Sequence, residues 1–169
     1  MMRLSVAAAC LAVALAGCTT VGGPPPLEPE RSAQPPPAAT IFGNGAFRTA
    51  SGATGSCAGY SVALMLDTPR ARDRMAALYG STERAMAPIG LVKSRSAKLG
   101  AGGDAAQPVY TAQCDARGAF VMSDVISGGY FVIAHVQLNP ARAGGPRDFV
   151  IMRALHLRPG EVRELTLAP

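Results

Sequence analysis

The 169-residue chain carries 16 basic against 11 acidic side chains, a formal charge of +5, with no Trp and only 5% aromatic residues. So few rings leave little to stack on bases and so small a charge little to hold a phosphate backbone, which argues against a nucleic-acid partner. Arg outnumbers Lys by 14 to 2; an acidic partner would suit that bias, but a GC-rich coding sequence accounts for it without one.

A single charge, Arg3, precedes an apolar run over residues 4–15. That run is shorter than the roughly 20 apolar residues a membrane-spanning helix needs, and with small residues at its exit it has the pattern of a secretory signal. The exit, Leu15-Ala16-Gly17-Cys18, resembles the bacterial lipobox. The resemblance implies a signal peptide over residues 1–17, cleavage before Cys18, and lipidation of the Cys18 thiol; an ordinary cleavage site near Gly17 is the alternative. Thr19, not Asp, follows Cys18, and the same resemblance then implies onward transport to an outer-membrane anchor in the cell envelope; a domain facing the periplasm is the expectation. Several acyl chains, each adding about 0.8 kcal/mol per buried methylene, hold firmly where one would not.

Residues 18–40 follow as a linker with two proline triplets, Pro24-Pro25-Pro26 and Pro35-Pro36-Pro37. Such triplets favour extended polyproline II and cannot build a core, so the segment reads as a tether. Cys10 leaves with the signal and Cys18 takes the lipid, so Cys57 and Cys114 remain as an even pair. In an oxidising compartment the expected outcome is a disulfide, with two buried free thiols as the alternative. No CxxC or Cys-His spacing accompanies them, so a metal site is not expected.

Residues 41–169, roughly 130 positions, are enough for one domain with a single core. Short runs rich in Val, Ile, Phe and Tyr, separated by Gly, Asp and Pro, read as strands. They fall at 45–50, 60–66, 109–114, 119–123, 130–138, 149–157 and 161–167. Along the fifth, Tyr130, Val132, Ala134, Val136 and Leu138 share one face and Phe131, Ile133, His135 and Gln137 the other. Between the second and third, Thr68 can cap and Pro69 can open a helix over 69–79, with Ala71, Met75, Leu78 and Tyr79 on one side. The stretch 80–107 is rich in Gly, Ala and Ser and reads as a long loop. Asp115-Ala116-Arg117-Gly118 is a strong turn signal. The expected architecture is all-β: a seven-stranded Greek-key sandwich with one short helix.

Cys114-Asp115-Ala116-Arg117-Gly118-Ala119-Phe120, followed by Gly128-Gly129-Tyr130-Phe131-Val132, resembles the carboxypeptidase regulatory-like domains. Their T-x-D-x-x-G-x-F and G-x-Y-x-V elements are matched here, except that Thr111 sits early. Cys57-Ala58-Gly59 and Thr68-Pro69-x-Ala71-Arg72 are similar to a lipoprotein subset of that family. The resemblance spans about residues 43–138. It implies a prealbumin-like (transthyretin-like) sandwich, a non-catalytic module, and a shape related to carbohydrate-binding sandwiches. Fold alone does not fix function.

Reactive groups are scarce. His135 and His156 both lie in predicted strands, where a packed or solvated side chain is the ordinary reading. Gly55-Ser56-Cys57-Ala58-Gly59 is not a nucleophile elbow, and the C-terminal Leu165-Thr166-Leu167-Ala168-Pro169 lacks the ending of the prealbumin-like hydrolases. Gly100-Ala101-Gly102-Gly103-Asp104-Ala105 satisfies a loose G-x-G-x-x-A without the strand–helix setting a dinucleotide site needs. Arg70, Arg72 and Arg74 could meet an anionic lipid or polysaccharide, but a solvated helix face is the plainer reading. Asp67, Asp73, Asp104, Asp115 and Asp124 do not have calcium-loop spacing. The expectation is a non-catalytic envelope lipoprotein without cofactor or metal. It would bind the membrane through its lipid and an envelope protein or glycan through its domain. A periplasmic hydrolase with an unrecognised site is the alternative.

Overall fold

A computed structural model describes residues 35–99, 107–139 and 147–169. The signal segment, Cys18, the linker as far as residue 34 and the loose glycine motif at 100–105 lie outside the described residues. Ten strands and two helices follow in chain order: β1 Ala39–Asn44, β2 Phe47–Arg48, β3 Thr54–Ser56, β4 Ser61–Leu66, α1 Pro69–Tyr79, β5 Arg84–Pro88, α2 Ile89–Leu99, β6 Tyr110–Gln113, β7 Ala119–Val125, β8 Gly128–Asn139, β9 Asp148–Leu157 and β10 Val162–Thr166.

The strands form two sheets. The smaller has the order β10-β1-β7, with β1 parallel to β10 and antiparallel to β7. The larger is built on β8, the longest strand. One edge of β8 pairs with β9 along its length, and β9 in turn carries β5. The other edge takes β4 near its start and β3 near its end, with β6 beyond β4 and β2 beyond β3.

Alternation along β8 explains the layers, because successive side chains point to opposite faces. Tyr130, Val132, Ala134 and Val136 enter a core between the sheets together with Ile41, Val62, Leu64, Phe120, Val125, Ile151, Leu157 and Leu167. Phe131 points the other way, into a second cluster with Met65, Ala71, Met75 and Met152. There α1 covers the outer face of the larger sheet. A fully buried Val, Leu or Phe contributes roughly 1.5–3 kcal/mol, so the doubly buried β8 is the main stabilising strand.

Helix α1 forms where its capping residues place it. The Thr68 side chain accepts from the Ala71 amide at 3.1 Å, Pro69 opens the first turn, and Gly80, at φ 74°, donates its amide to the Ala76 carbonyl. That is the left-handed cap that glycine adopts without steric cost. Ala71, Met75 and Leu78 are its buried residues.

The sandwich and α1 agree with the sequence reading; four details differ. The predicted strand at 45–50 is replaced by β1, which begins at Ala39 inside the predicted tether, and by the short β2. The 54–56 stretch adds β3. The predicted loop at 80–107 contains β5 and a second helix, α2. Ten strands therefore stand where seven were expected, and two helices where one was. Finally, Asp115 and Gly118, expected from the sequence to make a tight bulged hairpin, form a turn that does not close a hairpin within one sheet. Gly118 donates to the Asp115 carbonyl at 3.0 Å, and Asp115 Oδ1 accepts from the Arg117 and Ala119 amides at 2.8 Å each. The strands leaving it enter opposite sheets, β6 in the larger and β7 in the smaller.

Cys57 and Cys114 form a disulfide. Both are buried, and they tie the segment entering β4 to the end of β6. The neighbouring backbone is paired as well: the Cys114 amide donates to the Tyr60 carbonyl, and the Gly59 amide to the Cys114 carbonyl.

Candidate functional site

The outer face of the larger sheet changes character along β8. Phe131 and Ile133 lie under α1 as part of the second cluster, whereas the next two residues on that face are His135 and Gln137. Opposite them in the ladder, Val150 faces His135 and Asp148 faces Gln137. The side chains converge on one atom. His135 Nε2 lies 3.1 Å from Asp148 Oδ1, and Gln137 Nε2 donates to the same oxygen at 3.2 Å. Tyr60, immediately before β4, sets its ring against His135 with centroids 3.9 Å apart and the planes tilted by 47°.

This cluster is open to solvent, since the Asp148 side chain is 44% exposed and that of His135 27%. The Asp148 carboxyl is held below the ordinary aspartate range, first by the Gln137 hydrogen bond, then by His135, with a smaller contribution from the Lys93 charge on α2. It is therefore an ionised acceptor across the neutral pH range. Its fixed partners hold it in one orientation, as a binding surface requires.

Gln137 also lines an adjoining groove of about 330 Å³ where β3 meets the end of β8. Thr54, Gly55, Ser56, Leu138, Asn139 and Arg147 complete its walls. Ser56 Oγ accepts from the Ala58 amide at 3.0 Å, and the Arg147 carbonyl accepts from the Leu138 amide at 2.7 Å. Both positions are thus held by backbone contacts, and among the described residues neither the Ser56 hydroxyl proton nor the Arg147 guanidinium has a hydrogen-bond partner. Hydroxyls, amides, a carboxylate and a guanidinium beside an aromatic ring are the groups that bind polyhydroxylated molecules, by directed hydrogen bonds around an apolar face.

The structure separates the candidates weighed in the sequence. His135 belongs to this surface. His156 is exposed on β9 opposite Gly129, far along the ladder from it. Among the described residues no hydroxyl or thiol is hydrogen-bonded to His135, the contact that nucleophilic catalysis uses. No cluster of His, Cys, Asp or Glu among the described residues could hold a metal.

The α1 arginines are built into the fold. Arg72 makes a two-pronged pair with Asp67, Nε to Oδ1 at 2.7 Å and NH2 to Oδ2 at 2.6 Å, which raises the Arg72 pKa. Arg74 reaches Ser96 on α2 at 3.3 Å, and Arg95 of α2 donates to the Leu78 carbonyl at the end of α1. Sequence reasoning missed Tyr60, Gln137, Asp148 and the groove. The available signal was the change from apolar to polar side chains along the outer face of β8.

No protein-family model and no curated protein matches the chain. Among solved structures, it is similar to a protein of Pseudomonas aeruginosa described as a "putative carbohydrate binding protein", at 16% identity and a TM-score of 0.53. The match covers 82% of this chain and 92% of that one. At that identity the likeness is one of fold: a β-rich sandwich shared over most of both chains.

Proposed function

We propose that the protein is an exported, lipid-anchored module of the cell envelope that binds glycans without transforming them. The observation that carries the binding reading is the convergence of His135 and Gln137 on Asp148 beside the Tyr60 ring. This is a solvent-facing polar surface next to the part of the same face that α1 covers. The carbohydrate-binding description of the Pseudomonas aeruginosa protein with the same fold supports the ligand class. The resemblance of residues 43–138 to carboxypeptidase regulatory-like domains fits a module without chemistry of its own. Its Asp115, Gly118 and Phe120 serve the fold, in a turn between sheets and a core position.

Export and anchoring rest on Leu15-Ala16-Gly17-Cys18. The Cys57–Cys114 disulfide supports them, because such bonds persist outside the reducing cytosol. Thr19 after Cys18 supports the outer-membrane placement, and we place the domain on the periplasmic side.

A glycan array probed with the full chain tests the binding reading. Binding should be lost in Tyr60→Ala and Gln137→Ala variants that keep the wild-type melting temperature. A blank array, or binding indifferent to both changes, would sink it. For the anchor, palmitate labelling should mark the wild type and not Cys18→Ser; equal labelling of both would refute lipidation at that thiol.

A further inference from the structure

The groove beside Gln137 has a chemistry distinct from the His135–Asp148 surface that adjoins it. Among the described residues its only charged lining group is Arg147; the remaining polar groups, from Thr54, Ser56, Gln137 and Asn139, are neutral. Asp148, the nearest acid in sequence, has Oδ1 engaged by His135 and Gln137 and does not line the groove. Most arginines of the fold with a described contact spend their guanidinium on it. Arg72 pairs with Asp67 and Arg163 with Glu161, Arg74 bonds Ser96, Arg95 the Leu78 carbonyl and Arg153 the Thr166 carbonyl. Arg147, by contrast, is held through its backbone carbonyl, and among the described residues its guanidinium has no partner.

We infer that this groove binds a carboxylate-bearing saccharide, with Arg147 taking the carboxylate and Thr54, Ser56 and Asn139 the ring hydroxyls. The inference rests on the glycan-binding reading and names the sugar class within it. A guanidinium presents parallel N–H groups that match the two oxygens of a carboxylate, which a neutral sugar cannot reciprocate. Neutral amides and hydroxyls around it add no repulsion and supply directed bonds to hydroxyls. A phosphorylated sugar offers a related anion, but its tetrahedral, more highly charged group would call for more than one cation.

The test compares trimers of galacturonate, glucuronate and mannuronate, each beside its methyl ester, by calorimetric titration of the full chain. At least one acid should bind about tenfold or more tightly than its ester, the size expected for one charge-assisted contact. Arg147→Gln should abolish that discrimination at unchanged melting temperature, and Arg147→Lys should restore part of it. Esters binding as well as acids, or discrimination surviving in Arg147→Gln, would overturn the inference. So would acetate or a sugar phosphate displacing the acid trimer at the concentration of the free uronate. If neutral glycans bind on the array while none of the acids shows preference, only this inference falls. If no glycan of either kind binds, the underlying reading falls with it.

Discussion

The ring of Phe120 occupies the space that a side chain on Gly43 would need, the two residues facing each other across the β1–β7 pair. Gly43 is thus required for close approach, and the Phe120 ring can fill the small sheet's inner face only because its neighbour has no Cβ. Gly43→Ala should destabilise the chain by about 1–3 kcal/mol, the usual cost of forcing extra volume into a packed core. Pairing it with Phe120→Leu should recover part of the loss. Urea denaturation checks both; a Gly43→Ala midpoint equal to the wild type would refute the contact.

The disulfide makes a second prediction. Cys57 and Cys114 are separated by 57 positions in sequence, so the bond shortens a long loop in the unfolded chain. Loop entropy puts its contribution at about 4 kcal/mol. Urea unfolding with and without reductant should differ by that order. Because both residues are buried, thiol labelling of the native protein in mild reductant should be slow and should follow unfolding. Rapid native labelling would contradict that burial.

How much of this was legible in the sequence depended on whether an element shows a period. Strand β8 did, because its alternation is strict and both faces are apolar for its first half. Helix α1 did, because Thr68, Pro69 and Gly80 mark its ends. Helix α2 did not: it buries no residue and starts directly after Pro88 without a capping side chain, so neither a stripe nor a cap identifies it. Strand β5 offers one buried residue, Ala87, in five, and β1 begins just after a proline triplet that reads as tether.

The site was only half legible. His135 and Gln137 are two positions apart and could be placed on one face from sequence. Their meeting with Asp148 and Tyr60 depends on the registers of three strands, which a single sequence does not fix. The Arg70, Arg72 and Arg74 group was legible in a different way. Its solvated helix face was legible, since Arg70 and Arg72 are exposed, but the partners of Arg72 and Arg74, Asp67 and Ser96, were not.

Tyr110 and Tyr130 hold one residue, Ile126, between them. Tyr130 donates its hydroxyl proton to the Ile126 carbonyl at 2.6 Å, the Tyr110 hydroxyl accepts from the Ile126 amide at 3.1 Å, and the rings meet edge-on at 6.1 Å. The pair pins the bend between β7 and β8. Ile126 is exposed, so water can replace a lost partner, and each of Tyr130→Phe and Tyr110→Phe should cost only about 1 kcal/mol. The double variant should cost less than the sum, because the two hydroxyls restrain the same residue. Strict additivity in denaturation would show that they act independently.

Asp148 gives the polar surface a pH signature whose sign is fixed by its environment. Its pKa is lowered from 3.8, chiefly by the Gln137 hydrogen bond and next by His135. A carboxyl depressed in the folded state stabilises that state above its unfolded pKa, and the contribution is lost as pH falls through the folded value. Asp148→Asn should therefore be less stable than the wild type at neutral pH. The difference should stay constant down to the ordinary aspartate range and then close as the medium is acidified further. Because Asp148 is exposed, the difference will be small and reduced by salt. Melting temperatures of both proteins across that range, read with carbon-13 titration of the Asp148 carboxyl, provide the check. A carboxyl titrating at or above 3.8, or a difference that widens in acid, would mean that His135 and Gln137 do not hold the carboxylate as described.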